Sequence, residues 1–197
     1  MTYDLLPALA GFAIVTSVTP GPNNLMLMAS GVNFGLRRTL PHLAGITSGF
    51  VAMILILGAG LGDLLTRVPV LELGMKILSA AFIFWLAYKI ATSKPPQARD
   101  ETQRPMRFFE AAAFQWVNPK SWAMAVSAIT TYRADASLTG LLLVAVIYGA
   151  INAPFCSLWA IAGTGLRRAL QNPQTLRVFN IAMALLLLVS FLPVLLH

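Results

Sequence analysis

The chain has 197 residues, of which 57% are hydrophobic and only 11% charged, with a mean hydropathy of +0.74. Soluble domains carry about 25% charged residues, so an ordinary water-facing domain is excluded, and the apolar fraction with aperiodic Gly and Pro excludes disordered and collagen-like chains. What remains is a membrane-embedded protein, whose net charge of +7 reads as basic cytoplasmic loops rather than a nucleic-acid surface.

A helix crossing about 30 Å of hydrocarbon needs roughly 20 apolar residues, so uncharged intervals locate the spans. The first interval, from Asp4 to Arg37, holds span 1 and a connection. Its start carries no basic residue and contains Asp4, unlike a secretory signal, so span 1 is expected to stay in the mature protein. Inside it lies Thr19-Pro20-Gly21-Pro22-Asn23-Asn24. Two prolines around a glycine remove two backbone donors, which predicts a broken helix. Pro22 suits the first turn of a new half-helix, with Asn23 and Asn24 beside its exposed amides.

Span 2 occupies the uncharged interval from Arg38 to Asp63. Gly45 and Gly49 form a GxxxG pair for close helix approach, within the monomer or at a dimer face. His42, beside Pro41, reads as an interfacial hydrogen-bonding residue, with proton coupling as the alternative. Span 3, Val68 to Ala91, carries Glu72, Lys76 and Lys89 near its ends, where long side chains snorkel to the headgroups. Thr92 to Arg107, with Pro95, Pro96 and Pro105, is a polar linker.

Span 4, Phe108 to Thr131, has Glu110 at its start and Lys120 in its middle. Its break is Asn118-Pro119-Lys120, with Gln115 one turn earlier. Glu110 reads as a solvated partner of Arg107, with a proton site as the alternative. Span 5 lies in the uncharged interval from Asp135 to Arg167, where Asn152 and Pro154 suggest a kink. Span 6 is the run after Arg177, rich in Leu, Val, Ala and Phe.

Six spans predict an all-α integral membrane protein whose linker divides it into residues 1–91 and 108–197, with 92–107 between. Three spans per half put the halves in opposite orientations, the inverted repeat of many secondary transporters, which bind substrate near the midplane at broken helices. At 1.5 Å per residue, Pro20 lies about 21 Å and Pro119 about 17 Å from their respective faces, both close to mid-bilayer. Arg37, Arg38, Lys89, Lys94, Arg99, Arg104, Arg107, Arg167, Arg168 and Arg177 fall on one side, against Arg67, Lys76 and Arg133 on the other. This asymmetry predicts a cytoplasmic linker and both termini outside.

Lysine at the bilayer centre costs at least about 2.5–3.5 kcal/mol, so Lys120 should face a polar cavity or a partner. With Gln115, Asn118, Asn23, Asn24 and the Pro22 half-helix N-terminus it forms a candidate carboxylate site; the alternative is a lysine capping carbonyls freed by Pro119. No midplane Asp or Glu is expected, so a cationic group on a substrate would find no carboxylate partner there. Trp116 and Trp122 bracket the second break, either lining the substrate path or packing.

The stretches TPGPNNLMLMASGVNFGLRRTLPHLAGITSGF (Thr19 to Phe50) and FQWVNPKSWAMAVSA (Phe114 to Ala128) resemble the two signature regions of the LysE/RhtB family of amino-acid exporters. YGAINAP in span 5 and RVFNIAMALLLL in span 6 extend the likeness over nearly the whole chain. The resemblance implies a six-helix inner-membrane exporter of amino acids or close derivatives, driven by the proton motive force. Its motif positions fall on Pro20, Gly21, Pro22, Asn23, Asn24, Asn118, Pro119 and Lys120. Ser79, Ala87 and Ala111 stand where many members have glycine, which touches helix packing more than chemistry.

The expected partners are therefore a small amino acid, protons and lipid, without nucleic acid or cofactor; a homo-oligomer is compatible. Thr19 joins the substrate-binding set, and Lys120, His42 and Glu110 are the candidates for proton coupling. An enzyme is disfavoured, because HExxH, GxSxG and midplane carboxylate pairs are missing from the sequence. A metal-ion exporter would show intramembrane Asp, His or Cys ligands, and a structural subunit would need neither Lys120 nor two aligned breaks.

Overall fold

A computed structural model describes residues 5–61, 69–93, 104–133, 137–170 and 172–196. Asp4, Asp63, Arg67, Lys94, Arg99 and Asp135, which bound the spans or enter the charge asymmetry, lie outside the described residues. The same holds for the side chains of Glu72 and Lys76.

The described residues form helices and contain no strand. Helix α1 (Leu5–Val18) and α2 (Pro22–Phe34) meet at a 52° bend. At the bend Gly21 is fully extended (φ −177°, ψ 174°) and Pro22 opens α2, where its missing N–H costs nothing. Gly35, at φ 81°, turns the chain into α3 (Leu36–Ile56), a conformation that a residue with a Cβ rarely adopts. A π-turn at Leu57–Leu61 ends α3, and α4 spans Pro69–Ala91.

The second broken element has the same design. Helix α5 (Phe108–Phe114) runs into a 3-10 turn at Gln115–Val117, and α6 (Pro119–Tyr132) restarts at a proline. Asn118 between them is extended (φ −96°, ψ 106°), and its side chain accepts a hydrogen bond from the Lys120 amide. Helices α7 (Leu138–Leu166) and α8 (Pro173–Leu196) complete the chain.

Leu36–Gly60, Leu138–Leu166 and Pro173–Ser190 are each long and apolar enough to cross a bilayer, as is the bent α1–α2 pair taken together; Ile77–Ala91 is a shorter apolar helix. Val15, Tyr88 and Val178 are each at least 65% exposed, while Gln115, Asn118, Ser121 and Asn180 are buried. Apolar outside and polar inside is the arrangement a lipid solvent favours.

The two largest core clusters among the described residues lie on either side of the breaks. One cluster joins α1, α3, α6 and α7 around Leu9, Phe50, Ala125 and Tyr148. The other joins α2, α4, α5 and α8 around Leu25, Ile83, Phe114 and Leu187. Helix α7 packs on both α1 and α2, α3 packs on both α5 and α6, and α4 pairs with α8.

Small residues permit these crossings. A Cβ on Gly45 would stand 2.2 Å from the Phe108 carbonyl oxygen, and one on Gly49 2.6 Å from Ala112 Cα. The GxxxG pair therefore meets α5 of its own chain. Gly163 of α7 likewise meets the Met28 carbonyl, and Gly31 of α2 the Ala160 carbonyl. Ala111 is buried at the α3–α5 crossing. Pro154 sits inside a continuous α7.

Candidate functional site

The two breaks face each other, and polar side chains stitch them together. Lys120 Nζ donates to the carbonyls of Thr19 (2.7 Å) and Pro20 (3.4 Å). It thus caps carbonyls freed by the opposite break, rather than those freed by Pro119. Gly21 makes room: a Cβ there would lie 2.6 Å from Lys120 Cδ. Asn23 and Gln115 form a reciprocal amide pair, with Nδ2 donating to Oε1 at 2.8 Å and Nε2 to Oδ1 at 3.2 Å. Ser121 donates to the same Gln115 oxygen at 2.8 Å.

Asn24 closes the first break from its own side, donating to the carbonyls of Ser17 (2.6 Å) and Thr19 (2.9 Å). Its oxygen accepts from Cys156 Sγ at 3.4 Å. Asn152 on α7 donates to Ser17 Oγ at 3.0 Å and accepts from Thr47 at 3.4 Å. Thus Thr19, Pro20, Gly21, Asn23, Gln115 and Lys120 converge on one junction, Asn24 and Asn118 hold its backbone, and Pro20, Pro22 and Pro119 shape it.

Sequence reasoning passed over Ser17, Thr47, Ser121 and, as a site residue, Cys156. Each is a small polar group in an apolar window, which is the signal that marks them. Trp116 and Trp122 pack edge to face at 5.9 Å, with Trp122 Nε1 donating to the Trp116 carbonyl, and neither lines the two cavities beside the breaks.

Between the breaks only about 20 Å³ is empty, bounded by Ser17, Asn23, Asn24, Lys120, Asn152 and Cys156 among others. A single water needs roughly 10–15 Å³, so this space admits water but no amino acid. To one side a second cavity of about 720 Å³ opens. Its lining runs from Met26 and Val117, which lie close in sequence to the breaks, to Lys89, Ser93 and Arg104. From Met26 to Asn33 it follows α2 for about 10 Å at 1.5 Å per residue.

Two sequence-selected residues line this cavity. Glu110 pairs with Arg104 and accepts the Arg107 backbone N–H at 2.8 Å. Its nearest partners are therefore the Arg104 side chain and the Arg107 backbone at the α5 N-terminus, with the Arg107 charge acting from farther away. His42 is 2% exposed, and neither ring nitrogen has a hydrogen-bond partner among the described residues. An interfacial hydrogen bond is therefore not what holds it, and each buried unpaired group costs about 1–3 kcal/mol. No group of three or more His, Cys, Asp or Glu that would hold a metal occurs among the described residues.

The model of the LysE type translocator family matches residues 14–195, and so includes both breaks. The chain belongs to the LysE type translocator family. It is a transporter, not an enzyme. The translocator is 35% identical over 191 residues to the cysteine/O-acetylserine efflux protein of Escherichia coli strain K12, covering 95% of each chain. It is 33% identical over 165 residues to the protein of that name from Klebsiella pneumoniae, covering 83% of this chain and 84% of the relative. No solved structure matches the translocator.

Proposed function

We propose that the chain exports a small neutral amino acid or close derivative across the cytoplasmic membrane by alternating access, coupled to the proton motive force. The observation that carries this reading is the Lys120 bridge to Thr19 and Pro20, which closes the midplane between a water-sized space and one open cavity. In this reading the cavity lies on the cytoplasmic side of the junction, which its basic lining residues Lys89 and Arg104 support. The efflux role of the relatives, whose printed names specify cysteine and O-acetylserine, points the same way.

A lysine ammonium has three N–H donors, and two are held by carbonyls. The third is left for a substrate carboxylate, whose charge competes with the carbonyls for Lys120 and loosens the bridge. The amides at the start of α2 add positive potential there. Amide oxygens of Asn23, Gln115 and Asn152 can meet a substrate ammonium. Among the described residues no carboxylate lies at the junction, so a second positive charge on the substrate would find no partner.

Two inverted halves of three spans account for the packing. The second helix of each half covers the broken element of the other, and the third helices pair with each other. Lys120 is the leading candidate to exchange a proton for the substrate, because it is the ionisable amine at the junction.

Release of preloaded radiolabelled amino acids from proteoliposomes tests the reading. We expect release dependent on the protein, abolished by Lys120→Ala and slowed by collapse of the proton gradient. If no member of a broad amino-acid panel is released in a protein-dependent way, the export reading is wrong.

A further inference from the structure

We infer that Tyr148 is the gate in the half of the core away from the cavity, its ring closing the route from the junction and its hydroxyl latching α1 to α7 through Thr16. The inference rests on the alternating-access reading, which requires a second opening, and goes beyond it by naming the group that holds that opening shut. Three observations carry it.

The first is where the closed half of the core lies. The larger cavity is lined by Met26, Leu86 and Phe114 of one core cluster and by no member of the cluster around Tyr148. Tyr148 is the bulkiest fully buried side chain among the described residues. Its ring centroid is 4.8 Å from that of Phe50 on α3 and 6.1 Å from that of Phe12 on α1. Phe12 in turn meets Tyr132 of α6 at 5.4 Å. Tilted and edge-to-face ring contacts are attractive, so the Tyr148 ring is a plug gripped by the helices around it.

The second is spacing along α7. Tyr148, Asn152 and Cys156 are four residues apart and share one face of the helix, each about 6 Å from the next. Asn152 and Cys156 border the water-sized space at the junction, together with Thr16 and Ser17 of α1. Tyr148 stands one turn beyond that space. Asn152 donates to Ser17 at 3.0 Å and Tyr148 bonds to Thr16, so neighbouring residues of α1 are fastened to successive turns of α7.

The third is the chemistry of the latch. A threonine hydroxyl has one proton to give, and that of Thr16 goes to the Phe12 carbonyl at 2.7 Å. The Tyr148 hydroxyl is therefore the donor in its bond to Thr16. Leu9, Ala13, Val144 and Ala145 belong to the same buried cluster, where an unpaired hydroxyl is costly. The phenol is thus stable when latched or when water reaches it, and unfavourable in between. A substrate in the junction space can take over the Asn152 amide and release Ser17. The Tyr148 bond then remains to hold α1 against α7, and the extended chain at Gly21 lets α1 tilt without unwinding α2.

Cys156, the one cysteine of the chain, is buried beside the junction space, and its thiol reports when that space opens. Its labelling by a membrane-impermeant methanethiosulfonate is followed in sealed vesicles of each orientation. The cavity face is the one from which Ala113→Cys, at an exposed position lining the cavity, reacts in a Cys156→Ser background. From the opposite face Tyr148→Phe, which keeps the ring and removes the donor, should label about tenfold faster than the wild type. From the cavity face the two should agree within about twofold. Thr16→Val should match Tyr148→Phe, and combining them should add less than about twofold, as expected of two ends of one bond. Tyr132→Phe, which removes a hydroxyl from a ring beside Phe12 but not from the latch, should leave both rates unchanged.

Equal labelling of wild type and Tyr148→Phe from the face opposite the cavity overturns the inference. A rise of the same size from both faces, or one confined to the cavity face, also overturns it, because the fold would then have loosened without a gate opening. If labelling rises as expected but no amino acid of a broad panel is exported, the export reading falls and the gate stands. If amino acids are exported while Tyr148→Phe labels like the wild type, only the gate falls.

Discussion

Gly21 and Lys120 form one device, in which a missing side chain on one break admits a long side chain from the other. A methyl group at Gly21 would collide with Lys120 Cδ at 2.6 Å and push the ammonium away from its carbonyls. Gly21→Ala is therefore expected to lower the initial rate of efflux about tenfold or more, since a misplacement of about 1 Å at a working group has large effects. Gly11→Ala, in α1 with open space around it, should leave efflux unchanged and slightly stabilise the helix, by up to about 1 kcal/mol. Paired rate measurements on the two variants separate a local clash from a general effect of removing glycine. At the same scale, Asn23→Ala orphans the buried Gln115 amide N–H that it accepts. A loss of about 1–3 kcal/mol in stability follows, read as a lower melting temperature of the purified protein.

The helix crossings impose a different requirement at the scale of elements, namely backbone contact. Gly163 on α7 lies so close to α2 that a Cβ would sit 2.1 Å from the Met28 carbonyl oxygen, whereas Gly165 two residues later has nothing within 4 Å. Gly163→Ala should cost about 1–3 kcal/mol by overpacking, and Gly165→Ala should be neutral or stabilising; thermal unfolding in detergent measures both. Gly45, facing the Phe108 carbonyl at 2.2 Å, should behave like Gly163. Its use within the chain could not be read from GxxxG spacing, because the spacing is the same whether the opposing helix belongs to this chain or to a second copy. The breaks, by contrast, were legible. Proline cannot donate to the helix ladder, and both half-helices restart at the prolines expected, Pro22 and Pro119.

Across the whole molecule the decisive feature is asymmetry about the junction, with a large cavity beside it and a space for one water at it. In a Cys156→Ser background, Ala113→Cys should react with a membrane-impermeant maleimide in inside-out vesicles and resist it in right-side-out ones. The reverse result would invert the assigned orientation. Neither the cavity nor His42's isolation was legible in the sequence. His42 next to Pro41 at a helix end suggested a hydrogen-bonded interfacial residue. Its burial depends on α3 being drawn against α5 by Gly45 and Gly49, an arrangement that spacing alone leaves open. Glu110 was placed with Arg107 by its i−3 spacing; Arg107 does bond it, through its backbone N–H, and the stretch before α5 adds the Arg104 side chain.

By itself the sequence determined the solvent, the location of the breaks, the family and the unusual charge at Lys120. These follow from composition, proline chemistry and the cost of desolvating an ammonium, all of which are local properties. Only the tertiary structure decided what Lys120 does, because its partners, the carbonyls of Thr19 and Pro20, lie about a hundred residues away. Carbonyls look alike at every position in a sequence, and a broken helix elsewhere in the fold exposes these two. The cavity is likewise a property of how α2, α4 and α5 diverge on one side of the junction, a matter of packing angles that no single segment encodes.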